Sequence, residues 1–77
     1  MTKMKNGDHV RLMGIDKHDA YYSEWPKLWY RAGIISEVWR FDGTYHSCDI
    51  KMDEPVICTG HDPDREMSFY RVMLKLV

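Results

Sequence analysis

The fold of this chain is decided by residues 29–43, which read WYRAGIISEVWRFDG. Residues 29–40 are rich in aromatic and β-branched side chains, and these divide over two faces with the period of two that is typical of a β-strand. The Asp42-Gly43 pair that follows tolerates the positive φ angles of a type I′ turn, so it predicts a tight hairpin. The return strand is expected in residues 44–52.

Strands are also predicted on both sides of this hairpin. Residues 9–13 and 68–77 alternate between apolar and polar side chains, and residues 56–59 form a short apolar run bounded by turns. A long connection, residues 14–27, follows the first strand, and Pro26 excludes a long helix there. This pattern predicts an all-β fold, a small five-stranded antiparallel barrel, because closure removes the exposed edges of an open sheet.

The alternation also predicts which side chains point into this barrel. A slip of one residue along a strand would turn its apolar set towards solvent, so the pattern fixes the register. The predicted inward-facing residues are Val10, Leu12, Ile34, Val38, Ile50, Val56, Val72 and Leu74.

Length and composition predict a single domain that spans residues 1–77. An apolar fraction of 44% supplies a compact core. Eleven Lys and Arg residues against twelve Asp and Glu give a net charge of −1, which argues against a partner held mainly by charge, such as duplex nucleic acid. No segment has the apolar length of a transmembrane helix or the apolar stretch of a signal peptide, so we expect a cytoplasmic protein with no membrane partner.

The most informative functional feature is the aromatic segment YYSEWPKLWY, residues 21–30, which holds five of the ten aromatic side chains. Large rigid rings expose apolar area at a small cost in rotamer entropy, which is why Trp and Tyr are frequent at binding hot spots. We therefore predict a binding surface in this segment; the alternative is that its rings only cover one mouth of a small barrel. The predicted binding residues are Tyr21, Tyr22, Trp25, Trp29 and, as a polar anchor, Arg31.

Two strand segments carry a family resemblance. They are GDHVRL, residues 7–12, and WYRAGIISEV, residues 29–38, on either side of the long connection. With the Asp-Gly hairpin after them, they resemble the opening of SH3-like barrels of the Tudor and KOW type, and the similarity covers residues 7–52. The resemblance implies a small SH3-like barrel.

The chain also contains the residue types of a zinc site. Two histidines and two cysteines are the candidate ligands: His46, Cys48, Cys58 and His61. Alternation, however, places both cysteines among the inward-facing residues, and neither pair has the C-x₂₋₄-C spacing of most structural zinc sites. We therefore predict no metal and no cofactor, with both cysteines reduced in the core. The acidic segments 16–19 and 62–66 are interpreted as solvated turns.

The sequence contains no nucleophile signature, so we predict a protein that is not an enzyme. The favoured hypothesis is a binding module that contacts a protein partner through the aromatic segment. Chain length and family analogy add the expectation of a small bacterial or phage accessory protein with a regulatory role. The first alternative is RNA or single-stranded nucleic acid stacked on Tyr22, Trp25 and Trp29. The second is a structural subunit or a homodimer joined through the same rings.

Overall fold

The protein is all-β, as the sequence predicts. Its structure, a computed structural model, describes residues 2–77. The strands are β1 (His9–Ile15), β2 (Ala32–Phe41), β3 (His46–Met52) and β4 (Met67–Leu76). Each strand is antiparallel to the next, and β1 also pairs with β4, so the four-stranded sheet closes into a ring. The long connection after β1 contains a 3₁₀ turn (Tyr22–Glu24) and a single-turn helix, α1 (Trp25–Leu28).

The fifth strand expected in residues 56–59 does not form. This segment contributes only an isolated bridge between Cys58 and His61. Each of the four strands already pairs with a strand on both sides, and residues 56–59 pair with none of them. The side chains of Val56 and Cys58 are nevertheless buried in the core.

Two β-bulges in β2 change which of its residues face inwards. Ile35 pairs with Ile50 but Glu37 pairs with Asp49, so one extra residue lies in β2 at this point, and a second shift follows Val38. A bulge reverses the alternation, so Ile34 and Val38, which lie on opposite sides of the first bulge, cannot share a face. The prediction for Ile34 is wrong: its side chain is 47% exposed, whereas Ile35 is 1% exposed.

The rest of the predicted core is mostly confirmed. Six of the predicted inward residues are buried, and Val38 is partly buried against them. These six are Val10, Leu12, Ile50, Val56, Val72 and Leu74. Leu28 of α1 joins this core with no exposed surface, which fixes the long connection to the ring.

The predicted hairpin forms between β2 and β3, although its loop is longer than a two-residue turn. β2 ends at Phe41 and β3 begins at His46. Gly43 has the positive φ of 98° that the sequence predicts, and the Asp42 Oδ1 atom accepts hydrogen bonds from the backbone of Thr44 and Tyr45 at 2.9 and 2.7 Å. These two bonds keep the pKa of Asp42 below its ordinary value.

Among residues 2–77, no helix has the length and apolarity needed to cross a membrane.

Candidate functional site

The long connection is anchored to the sheet by one buried carboxylate. Asp19 is 5% exposed, and its Oδ1 atom accepts a hydrogen bond from the Tyr21 backbone at 2.9 Å. Its Oδ2 atom accepts from the backbone N–H groups of Tyr70 and Arg71, both at 2.8 Å. The interpretation of residues 16–19 as a solvated turn is therefore wrong for Asp19, which joins the connection to β4.

Tyr21 and Trp25 lie on the inner side of this connection. Both are partly buried and pack against the core. The Tyr21 ring lies 5.2 Å from the Phe69 ring, and its hydroxyl is 3.2 Å from Nδ1 of His61. Burial raises the pKa of Tyr21 above its ordinary value. These two rings therefore contribute to packing, as the alternative interpretation of the aromatic segment describes.

Trp29, Tyr30 and Tyr22 lie on the outer side. Their exposed fractions are 60%, 44% and 50%. The rings of Trp29 and Tyr30 are neighbours, with centroids 5.5 Å apart. Both residues precede β2, which begins at Ala32 rather than at the predicted position 29. The aromatic segment therefore divides into a packed half and an exposed half.

Backbone hydrogen bonds hold the two exposed neighbours in place. The Trp29 N–H donates to the Trp25 carbonyl, and the Tyr30 N–H donates to the Leu12 carbonyl in β1, each at 2.9 Å. Tyr30 has a φ of 66°, the left-handed conformation that bulky side chains rarely adopt. Such a conformation persists only where the surrounding structure enforces it, so the fold sets the direction in which the Tyr30 side chain leaves the backbone.

Two cations lie near the Tyr30 ring, one from β1 and one from β4. The Arg11 guanidinium lies 4.8 Å from the ring centroid and the Lys75 ammonium 5.2 Å from it. Arg11 Nη1 also donates to the Tyr30 carbonyl at 3.0 Å, and Lys75 Nζ lies 3.4 Å from the Tyr30 hydroxyl. The electrostatic attraction between a cation and the face of an aromatic ring stabilises this arrangement.

Arg31, the predicted polar anchor, lies on the same surface. Its Nε donates to the Lys27 carbonyl at 3.2 Å, and its Nη1 lies 3.6 Å from Glu54. An open pocket of about 300 Å³ lies beside it, between the cations and two acidic residues. The lining residues are Arg11, Tyr30, Arg31, Ala32, Asp53 and Glu54. We call Arg11, Trp29, Tyr30, Arg31 and Lys75 the cation–aromatic surface.

The sequence reasoning missed three members of this surface. Tyr30 was assigned to a strand, although its positive φ and its position before β2 turn its ring outwards. Arg11 and Lys75 are far apart in the chain and meet only because β1 pairs with β4. The available signal was their position next to buried residues in alternating strands, which places both on the outer face of the sheet.

The four candidate zinc ligands are divided between the core and a loop. His46 and Cys48 are fully buried in β3, Cys58 is 4% exposed, and His61 lies in the loop before β4. Within the described residues, no group of three or more potential ligands is placed to hold a metal ion. Burial raises the pKa of the Cys48 thiol to about 12, which favours the neutral thiol in the core.

His46 has a structural partner instead. Its Nε2 atom accepts a hydrogen bond from the Met4 backbone at 2.9 Å, and its ring stacks on Phe41 with centroids 4.3 Å apart. Burial lowers the pKa of His46 below its ordinary value. The neutral ring therefore ties the N-terminal segment to β3.

A second pair of exposed rings lies elsewhere on the sheet. Trp39 and Tyr70 are 46% and 58% exposed, with centroids 6.3 Å apart in an edge-on arrangement. In the described part of the chain, no Lys or Arg lies over either ring. This pair has exposed aromatic area similar to that of the cation–aromatic surface but lacks its cations, so it is a natural control.

No family model, no curated protein and no solved structure matches this chain.

Proposed function

We propose that this protein is a non-enzymatic binding module and that the cation–aromatic surface holds a protein partner. The observation that carries the proposal is the pair of neighbouring rings of Trp29 and Tyr30, exposed by 60% and 44%. Large aromatic side chains and arginine are the residues most often found at the centre of protein interfaces. Here both types occur together, with Arg11 and Arg31 beside the rings.

The ordered backbone beneath the two rings supports a binding role. Helix α1, the left-handed backbone of Tyr30 and the hydrogen bond from Tyr30 to Leu12 fix the backbone beneath them. A surface that is ordered before the partner arrives loses less conformational entropy when the complex forms. The same exposed area on a mobile loop would give weaker binding.

We extend the proposal to the fold family and the setting of the protein. The closed antiparallel ring and the long connection after β1 support an SH3-like barrel, to which the sequence segments 7–12 and 29–38 have a resemblance. A domain of this size with an exposed contact surface fits a small cytoplasmic accessory protein of a bacterium or a phage, one that regulates its partner by occupying it. Fold analogy alone supports this last step.

The experiment is an affinity pull-down with quantitative mass spectrometry that compares the wild type with Trp29→Ala. We expect the Trp29 variant to lose the partner while its melting temperature stays close to that of the wild type. Trp39→Ala is the matched control, because it removes another exposed indole, 46% exposed against 60% for Trp29, from the other aromatic pair. Equal recovery of the same partner by the wild type and by Trp29→Ala would disprove the proposal.

Trp25→Ala has a different expected outcome. Because the Trp25 ring packs against the core, its loss should lower the stability of the domain as well as any binding. A variant that loses both properties does not separate a contact residue from a packing residue, and Trp29 is therefore the informative position.

The second candidate function is the binding of single-stranded nucleic acid. The observation that favours it is the approach of Arg11 and Lys75 to the Tyr30 ring, since such binders combine cations with aromatic stacking. A salt titration of the purified complex separates the two functions. Phosphate contacts weaken steeply as salt concentration rises, whereas a mainly apolar protein contact changes little.

A further inference from the structure

Arg11 and Lys75 form an unusual pair of like charges. They are Cα partners across β1 and β4, and within residues 2–77 neither forms an ion pair. Like charges directly opposite each other destabilise an antiparallel pair of strands. Arg71, in contrast, is held by Asp16 and Asp42 at 3.2 Å each. An anion supplied by another molecule would relieve the repulsion between Arg11 and Lys75.

The geometry around Tyr30 suits a carboxylate. Arg11 uses one nitrogen for the Tyr30 carbonyl, and its guanidinium has further N–H groups to donate. Lys75 Nζ lies 3.4 Å from the Tyr30 hydroxyl oxygen, so the ammonium and the hydroxyl offer polar hydrogens at the same edge of the Tyr30 ring. Trp29 lies immediately next to this group and offers apolar area to a side chain adjacent to the carboxylate.

The two acidic residues of the pocket, Asp53 and Glu54, favour a peptide over a nucleic acid as the ligand. Both residues line the pocket together with Arg11. The Asp53 Oδ2 atom lies 2.6 Å from His9 Nε2, and the Glu54 Oε2 atom lies 3.6 Å from Arg31 Nη1. A nucleic-acid strand carries a charge on every phosphate and would bring several of them past these carboxylates. An acidic peptide can place one carboxylate at the cations and leave uncharged groups elsewhere.

We propose that the partner presents an acidic peptide segment to the cation–aromatic surface. A carboxylate of this segment binds between Arg11 and Lys75, and the neighbouring apolar side chain packs on Trp29. This inference rests on the proposed function and adds the chemistry of the partner to it.

The test uses fluorescence anisotropy with labelled synthetic peptides. The main probe is a short peptide with one central glutamate, flanked by leucine and phenylalanine and by otherwise uncharged side chains. The control probes are the same peptide with glutamine or lysine in place of glutamate, and a single-stranded oligothymidylate. The key variant is Arg11→Gln with Lys75→Gln. Its control is Lys17→Gln with Arg65→Gln, which removes the same charge from exposed residues of two other loops.

The acidic peptide should bind the wild type and the loop variant equally, and the Arg11/Lys75 variant at least about fivefold more weakly. Rising salt concentration should weaken peptide binding only slightly, because one carboxylate is screened, and far less steeply than it weakens a strand held by several phosphates. Relief of the like-charge repulsion offsets the loss of the two cation–ring contacts and of the Arg11 hydrogen bond to Tyr30, so the melting temperature should change little. A loss of binding at an unchanged melting temperature is then not a result of unfolding.

Several outcomes would overturn the inference. They are no binding of the acidic peptide, equal binding of the glutamine or lysine peptide, and tighter binding of oligothymidylate through Trp29. The pull-down distinguishes these results from failure of the proposed function. If the Trp29-dependent partner is still recovered but the acidic peptide does not compete with it, the surface binds a protein by other chemistry. If recovery does not depend on Trp29, the proposed function itself is wrong.

Discussion

Replacement of Asp19 by alanine should destabilise the domain strongly, although residue 19 lies in a connection and not in a strand. Its carboxylate accepts three backbone hydrogen bonds at 2.8–2.9 Å, two of them from β4. Asp19 is only 5% exposed, so water cannot easily replace it. The substitution leaves these three N–H groups without their acceptor and frees the connection from the sheet.

The size of the effect follows from these contacts. A hydrogen bond to a charged group contributes about 1.5–3 kcal/mol. The three bonds are not additive, because Tyr70 and Arg71 share one oxygen atom and the donors regain partial solvation. We therefore expect Asp19→Ala to lower the free energy of unfolding by about 3–5 kcal/mol. A domain of this length has a total stability of about 4–11 kcal/mol, so the variant should be marginally folded.

Urea unfolding followed by tryptophan fluorescence measures this difference. Asp64→Ala is the control, because Asp64 is an exposed acidic residue whose carboxylate forms no hydrogen bond within the described part of the chain. Its effect should stay within about 0.5 kcal/mol. Asp19→Asn should be intermediate, since an amide keeps one acceptor oxygen but turns an NH₂ group towards the other donors. Equal stabilities of Asp19→Ala and Asp64→Ala would show that the Asp19 carboxylate does not anchor the long connection to β4.

Four other substitutions or treatments have defined outcomes. Gly33→Ala should cost about 2 kcal/mol or more in urea unfolding, because a Cβ there would lie 2.6 Å from Ile50 Cγ2; an unchanged midpoint would contradict this. Because burial lowers the pKa of His46, its neutral form stabilises the fold fully above about pH 6.5 and this contribution falls at lower pH. When the pH falls from about 7.5 to about 5.5, the free energy of unfolding should decrease more in the wild type than in His46→Gln. Equal decreases in the two proteins would contradict this contribution of His46. Leu74→Ala should cost about 2–5 kcal/mol, since Leu74 is 1% exposed. Chelator treatment should leave the melting temperature unchanged, and a large decrease would reveal a structural metal.

The sequence was sufficient for four of the five predicted strands and for most of the core, because alternation is a local signal. It failed at Ile34, where a bulge two residues further along β2 reverses the alternation. Bulges depend on the register between two strands and leave no clear local pattern. It also failed at residues 56–59, since whether a run of apolar residues becomes a strand depends on a pairing partner elsewhere in the fold, and this run pairs with none of the four strands.

The candidate site was predicted in part, for a similar reason. Trp29 and Arg31 are in one segment and could be identified together, and the segment does carry exposed rings. Arg11 and Lys75 belong to the first and last strands and meet only through the closure of the sheet. Asp19 was assigned to solvent because its three donors come from its own turn and from β4, fifty or so residues away. Contacts of this kind follow from topology rather than from composition.

The two exposed aromatic pairs differ in the locally destabilising features that surround them. This difference is our reason for proposing the binding function at the pair of Trp29 and Tyr30. Trp39 and Tyr70 lie on β2 and β4 without a positive φ, and no Lys or Arg of residues 2–77 stacks on their rings. Tyr30 has a strained left-handed backbone, and beside it two like charges face each other. Neither feature contributes to the core, and each is locally unfavourable. Unfavourable features beside exposed rings support our proposal that a ligand binds there, and the like charges of Arg11 and Lys75 support an anionic group on that ligand.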